Sequence, residues 1–354
     1  MKEALVDLES AAYPRVSIVD SPIPTPAADQ VVIKVVAASL NPKDYKHKSP
    51  GIINQGDDIA GIVHLTGQNV TEFKVGDRVA AFHQMGAPHG GFAEYAVTWA
   101  RTTFHIPEGV SFEAEASTIP LAGLTAALGL YQSLRLTPPW LPETEPHPLV
   151  VYGGGSAVGA FVIKLAKLSN LHPLIVVAGK SGSQIETLLD HSKGDVVIDY
   201  REGDAAVVNK LRAALNGRPL LHAFDAITEF NSYQNIAQVI DPQAGRVTTI
   251  QPVREDRDKI PAAVDVSLTF VGRVHGPVPE KKQGSVVLGD REFGAVFSNF
   301  FGQGLRDGFL SGHPWVTVPK GLEGLEKALG ELKDWKASYS KYVVRIADTP
   351  GVQG

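Results

Sequence analysis

Val150-Val151-Tyr152-Gly153-Gly154-Gly155-Ser156-Ala157-Val158-Gly159-Ala160-Phe161 is an apolar run that enters three consecutive glycines and leaves them directly into a helical pattern. Residues without a Cβ let a backbone turn sharply and approach a pyrophosphate, whose charge is met by the N–H groups at a helix N-terminus. In that reading Gly153, Gly154 and Gly155 make the turn, Ser156, Ala157 and Val158 open the helix, and Gly159 gives the close helix–strand contact. Val158, Phe161, Val162 and Leu165 supply the buried stripe. A glycine motif alone fits a purely structural strand-to-helix turn as well, so the flanking pattern decides.

Downstream, strand and helix candidates alternate: Leu149–Tyr152, a helix over about 157–168, Leu174–Ala178, a helix near 183–191, and Val196–Asp199, followed by strands at 222–226 and 246–250. This is the βαβ signature of a parallel sheet covered by helices. The second strand ends in Gly179-Lys180-Ser181, where an NAD-preferring site would place an acid on the ribose 2′-hydroxyl. An ammonium and a hydroxyl there suit a 2′-phosphate, which favours NADPH over NADH. A solvated turn lysine is the plain alternative for Lys180.

Upstream of residue 110 the chain consists of short β-branched runs between turn residues, such as Gln30–Val36 and Val75–Phe82. A helical pattern spans 114–134, and five prolines between Pro138 and Pro148 then mark a loop ahead of the glycine-bearing strand. After an irregular segment over 273–290, two helices are predicted over 293–308 and 321–335, and a last strand over 341–346 returns to the first domain.

Composition narrows the function. The 354 residues carry 33 Lys and Arg against 38 Asp and Glu, a net charge of −5 with no basic block, which argues against nucleic acid as the main partner. No stretch approaches the roughly 20 apolar residues of a membrane helix, so a soluble, cytoplasmic protein is expected. The absence of cysteine removes thiolate nucleophiles and Cys-ligated metals. His83 and His89 flank Met85 at a spacing that fits no helical metal pair, and are read as a loop at a cleft mouth.

Seven segments carry a resemblance to a known family: Asn41-Pro42-Lys43-Asp44-Tyr45-Lys46, Gly56-Asp57-Asp58-Ile59-Ala60-Gly61, Val75–Val79, Gly90-Gly91-Phe92-Ala93-Glu94-Tyr95, Gly123–Ala127, Gly153–Gly159 and Val197-Ile198-Asp199-Tyr200-Arg201. In this order they resemble the zinc-independent medium-chain dehydrogenase/reductase superfamily, especially quinone oxidoreductases and the fungal enoyl-reductase branch. The resemblance implies an α/β fold: a GroES-like β-barrel catalytic domain (1–122 with a return of about 280–354) plus a Rossmann doubly wound parallel-sheet domain (123–279) that binds NADPH. Zinc-dependent relatives carry Gly-His-Glu where this chain has Gly56-Asp57-Asp58, so no metal site is expected.

What the resemblance implies for chemistry is hydride transfer to an electrophilic acceptor, an activated C=C or a quinone, small or carrier-linked. Lys46, Tyr45 and Thr125 are the candidate catalytic residues. Asp44, Gly153 to Gly159, Gly179, Lys180, Ser181, Tyr200 and Ile250 are the candidate cofactor contacts. Asp44 reads more readily as a helix cap or turn acceptor than as an acid, while Lys46 reads equally as a surface lysine and Thr125 as a backbone-satisfying hydroxyl. The tyrosine that some relatives carry shortly after the Asn-Pro turn is replaced by Ser49-Pro50-Gly51-Ile52-Ile53, which leaves the proton donor unassigned. A nucleotide-binding protein with little turnover and a subunit that works only with a polyketide synthase partner are the alternative readings. Monomer and homodimer both stay open, and Arg273 to Asp290, with Lys281 and Lys282, is either a lid or a surface insertion.

Overall fold

The computed structural model describes residues 1–10, 12–47, 51–253, 257–276 and 289–352. The chain divides into two compact units, Met1–Leu124 with Gly272–Gly354, and Thr125–Val271. In chain order the first unit begins with β1 (Lys2–Asp7), β2 (Arg15–Asp20), β3 (Gln30–Ser39), α1 (Lys43–Lys46), β4 (Asp58–Thr66), β5 (Arg78–Phe82), β6 (Tyr95–Trp99) and β7 (Thr103–His105). Helix α2 (Pro120–Ala127) contains the boundary. The second unit holds β8 (Leu149–Tyr152), α3 (Ala157–Leu168), β9 (Leu174–Ala178), α4 (Gly182–Glu186), β10 (Val196–Asp199), α5 (Asp204–Leu215), β11 (His222–Asp225), α6 (Ser232–Ala237), β12 (Arg246–Thr249) and β13 (Asp265–Leu268). The first unit resumes with α7 (Asp290–Asp307), β14 (Trp315–Val318), α8 (Leu325–Lys333) and β15 (Lys341–Arg345).

The run Val31-Val32-Ile33-Lys34-Val35-Val36 makes β3 the hub of the first unit, because β-branched side chains fit a pleated, buried surface. The sheet runs β14-β15-β3-β4-β5-β7, and β6 also pairs with β3. Ten residues are enough for β3 to pair with β6 through its first half and β15 through its second, with register shifts at Val32/Ile33 and Val35/Ala37 that bend it. Ile33, Val35, Ile59, Val79 and Phe92 pack with Leu322, Leu325, Leu329 and Val344, so the C-terminal return closes one core with the N-terminal strands. Each such burial contributes about 1.5–3 kcal/mol.

The second unit is a six-stranded parallel sheet in the order β10-β9-β8-β11-β12-β13. Counted within the unit this is 3-2-1-4-5-6, the doubly wound order whose direction reverses between β8 and β11. Every residue of β8 and β9 is buried, as expected of strands covered on both faces. The prolines between Pro138 and Pro148 lie in turns and irregular chain.

Several expected elements differ in extent. The helix expected near 183–191 ends at Glu186, because Asp190 accepts from the Ser192 amide and starts a separate 3-10 turn. The helix expected over 321–335 opens as a 3-10 turn, Gly321–Gly324, and is α-helical only over Leu325–Lys333. Asp290 and Glu292 start α7 three residues early, where acids complement the helix dipole. The sixth strand, β13, was not anticipated. The return point near residue 280 and the Lys281-Lys282 stretch lie outside the described residues, as do Ser49 and Pro50.

Candidate active site

At the switch point β8 ends in Gly153, whose φ of 85° lies in the left-handed region. Ser156 caps α3: its hydroxyl donates to the Gly153 carbonyl oxygen at 2.9 Å and accepts from the Gly159 amide at 3.0 Å. The glycines are packed tight. A Cβ on Gly159 would stand 2.3 Å from the Gly153 oxygen, and one on Gly154 would stand 2.2 Å from Val176. The backbone of Gly153–Gly155 is therefore pressed against β9 and α3, and the first-turn amides of Ala157 and Val158 have no intrahelical acceptor. That cradle fits a pyrophosphate.

The residues after β9 join this turn. A Cβ on Gly155 would stand 2.0 Å from Ser181 Oγ, so the buried Ser181 hydroxyl occupies the space beside Gly155. The Tyr200 ring lies over Gly179, 2.6 Å from where a Cβ would be, and is half exposed. Lys180 is exposed at the same rim. Gly155, Gly179, Ser181 and Tyr200 thus come together at the C-terminal end of β9 and the first turn of α3. Ile250 follows β12, with its amide donating to Thr228 Oγ1 at 3.2 Å. Beyond β11, Asp225 holds the 226–232 loop, accepting from Ser232 Oγ at 2.5 Å and the Thr228 amide at 2.8 Å. Burial pushes its carboxyl up to about 6.

In the first unit the Asn41-Pro42 turn and α1 stand on a buried ionic lattice. Lys43 Nζ donates to the Gln55 carbonyl oxygen at 2.6 Å, lies 3.0 Å from Asp44 Oδ1 and pairs with Asp57 Oδ2, with 13% of its side chain exposed. Asp57 Oδ1 is 2.8 Å from His83 Nδ1, and His83 Nε2 reaches the Pro88 carbonyl oxygen at 3.1 Å. Next to it, Asp58 accepts from Lys341 Nζ at 2.5 Å, Asn41 Nδ2 at 2.8 Å and the Leu121 amide at 2.6 Å. One carboxylate thereby ties β4, the Asn-Pro turn, the start of α2 and β15.

Electrostatics follow from this packing. Burial pushes Asp44 up to about 7, Lys43 opposing that shift and the Asp57 charge adding to it. Asp57 is itself held low: burial would raise it, but Lys43 and His83 outweigh burial. Burial alone would depress Lys43, yet Asp57 and Asp44 hold its ammonium above the usual lysine range. Asp44 is fully buried and accepts from the Asn41 amide at 2.8 Å, so its carboxyl holds the Asn41-Pro42 turn. His83 is likewise buried, at the start of the loop that follows β5.

Lys46 and Tyr45 project from α1, and the Lys46 ammonium lies 5.8 Å from the Tyr45 ring centre and 5.3 Å from that of Trp335. Thr125 is buried on α2. Sequence reasoning missed Lys43, Asp57, Asp58, His83 and Lys341 as one lattice. The signal for it was the acidic pair Asp57-Asp58 at the head of the apolar run Ile59-Ala60-Gly61-Ile62-Val63.

Residues 27–108 match the alcohol dehydrogenase GroES-like domain. Over 330 residues the chain is 44% identical to the trans-enoyl reductase fsr4 of Gibberella fujikuroi, covering 92% of each protein. The chain belongs to the fungal trans-enoyl reductase branch of the medium-chain dehydrogenase/reductase superfamily. It is also 31% identical to the trans-enoyl reductase resD of Aspergillus sclerotiorum, across 92% of this chain and 96% of that one. Among solved structures, the quinone oxidoreductase of Pseudomonas syringae pv. Tomato DC3000 superposes with a TM-score of 0.73 at 20% identity, covering 97% and 100% of the two chains.

Within this superfamily the lattice has a specific meaning. Zinc-dependent members hold a metal at Gly-His-Glu, and the corresponding Asp57 and Asp58 here are each already paired with an ammonium, Lys43 and Lys341. Two carboxylates neutralised by internal cations do not form a divalent-metal donor set. Among the described residues no group of three or more His, Asp or Glu is placed to hold an ion.

Proposed function

We propose that the protein is an NADPH-dependent reductase of activated carbon–carbon double bonds, acting on enoyl or α,β-unsaturated carbonyl groups, free or carrier-linked. The observation that carries this reading is the glycine cradle at the switch point of the sheet, in a chain whose relatives of matching length are trans-enoyl reductases. When bound, a reduced nicotinamide supplies a hydride to an acceptor that is already electrophilic. The chain's own part is binding and orientation. The Gly153–Val158 backbone and the N-terminus of α3 receive the pyrophosphate. Lys180 and Ser181 take the 2′-phosphate, Tyr200 lies along the adenosine, and Ile250 borders the same edge of the sheet. Lys46 is assigned to the charge that develops on the acceptor's carbonyl oxygen, with Tyr45 beside it and Thr125 on α2 as a further contact.

A quinone is the competing acceptor, and one assay separates the two. NADPH consumption is followed with an N-acetylcysteamine enoyl thioester, the same enoyl group on an acyl carrier protein, and a quinone. Faster turnover on the thioesters than on the quinone is expected. NADPH binding with no turnover of either thioester refutes the assignment.

A further inference from the structure

Helix α8 ends in a motif that normally calls for glycine. The Lys336 amide donates to the Glu331 carbonyl oxygen at 3.0 Å and the Trp335 amide to that of Leu332 at 3.2 Å, the two bonds of a Schellman cap with Trp335 at its left-handed position. Its φ is 58°. A Cβ there meets the following carbonyl, and a bulky residue in that conformation is a true outlier. Trp335 is 50% exposed.

The strained turn aims the indole at α1. The Lys46 ammonium lies 5.3 Å from its centre, with the Tyr45 ring 5.8 Å from the same nitrogen. The cap is pinned from the other side, where Tyr13 donates to Asp334 Oδ1 at 2.7 Å and the Lys333 ammonium sits 4.6 Å over the Tyr13 ring. Trp335 thus presents a fixed, half-open aromatic face beside the lysine assigned to the acceptor. Strain kept at a solvent-facing position next to a functional group is a pointer to function.

We propose that Trp335 is the platform on which the flat, conjugated acyl chain of the substrate stacks, next to Lys46. This rests on the enoyl-reductase reading and names its substrate class: chains with extended conjugation, in preference to saturated ones. Offset stacking of a planar π system on an indole gives the preference, and the adjacent ammonium keeps the ring face electrostatically occupied until a chain arrives.

The test compares the intact enzyme with Trp335→Gly and Trp335→Phe, using hexadienoyl and hexanoyl N-acetylcysteamine thioesters. Binding is read without NADPH by quenching of tryptophan emission, and turnover by KM and kcat for the dienoyl ester. The dienoyl ester is expected to quench saturably in the intact enzyme, more tightly than the saturated ester, and the signal to vanish in Trp335→Phe. That variant should keep the dienoyl KM within about 3-fold. Trp335→Gly should raise that KM about 10-fold, leave the NADPH KM unchanged, and raise Tm by about 2 °C because glycine is unstrained there. An unchanged dienoyl KM in Trp335→Gly, equal binding of the two esters, or a fall in Tm of several degrees overturns the proposal. Trp335-dependent quenching in an enzyme that reduces no enoyl ester supports the platform and refutes the reductase reading. Reduction that is indifferent to Trp335 does the reverse.

Discussion

Replacing Lys43 by Met removes the one ammonium that the lattice beneath α1 places among Asp44, Asp57 and the Gln55 carbonyl oxygen. The thioether chain fills a similar volume, so the loss is electrostatic. Breaking a buried pair by deleting one partner costs about 3–5 kcal/mol, because the other charge stays desolvated. Part of this is relieved, since Asp44, already pushed up to about 7, takes a proton. A net loss of about 3 kcal/mol is expected, which at about 2–4 °C per kcal/mol lowers Tm by roughly 10 °C. The sign of the pH dependence follows. Without the ammonium, the Asp44 carboxyl rises further above its unfolded value and Asp57 loses the main charge that holds it below its own, so the deficit is largest above pH 7 and shrinks as pH falls toward 5. Thermal melts across that range measure it. A double-mutant cycle with Asp57→Leu should show a coupling of at least about 2 kcal/mol, Lys43→Met costing little once the carboxylate is gone. A loss below about 1 kcal/mol at pH 8, or additive single effects, would refute the reasoning.

Other substitutions test the remaining assignments. Asp44→Asn should flatten the stability profile: the wild-type carboxyl binds its proton more tightly folded than unfolded, so its contribution declines as pH rises from about 4 to 7, and melts of the variant should lack that decline. Lys180→Ala should weaken NADPH by about 10-fold in a fluorescence titration while leaving NADH within about 2-fold, since only the former carries a 2′-phosphate for the ammonium; equal losses would remove Lys180 from the phosphate. Gly155→Val places a Cβ 2.0 Å from Ser181 Oγ and must displace that hydroxyl, so binding of both nucleotides should fall at least 10-fold with the fold retained; unchanged affinity would show that the turn faces elsewhere.

The second unit was legible because its signals are local. A glycine-rich turn between a strand and an amphipathic helix states both elements, and the apolar runs of β8, β9 and β10 read as strands without reference to anything distant. β13 escaped because it is the edge of the sheet. Its residues Asp265-Val266-Ser267-Leu268 are half exposed and carry no apolar run, and what makes them a strand is pairing with β12. α5 is a different omission. Val207, Val208, Leu211 and Leu215 form a regular helical stripe that was there to be read.

The site was legible in outline only, for a reason of chemistry. Asp57-Asp58 showed that the zinc-binding pattern was altered, but not what neutralises the two charges, since Lys341 is 283 residues away from Asp58 and a charge pair leaves no periodic trace. Lys43 drew no reading of its own, because the same Asn-Pro-Lys-Asp turn is equally at home in solvent. Trp335 was hidden more thoroughly. The pattern over 321–335 runs smoothly through it, and a glycine at that position would have announced the end of the helix two residues earlier. A chain that ends α8 with a left-handed tryptophan accepts local strain where an unstrained residue was available. That conflict between local preference and observed backbone is the kind expected where function constrains the sequence. It is visible only once the φ angle and the Lys46 contact are known.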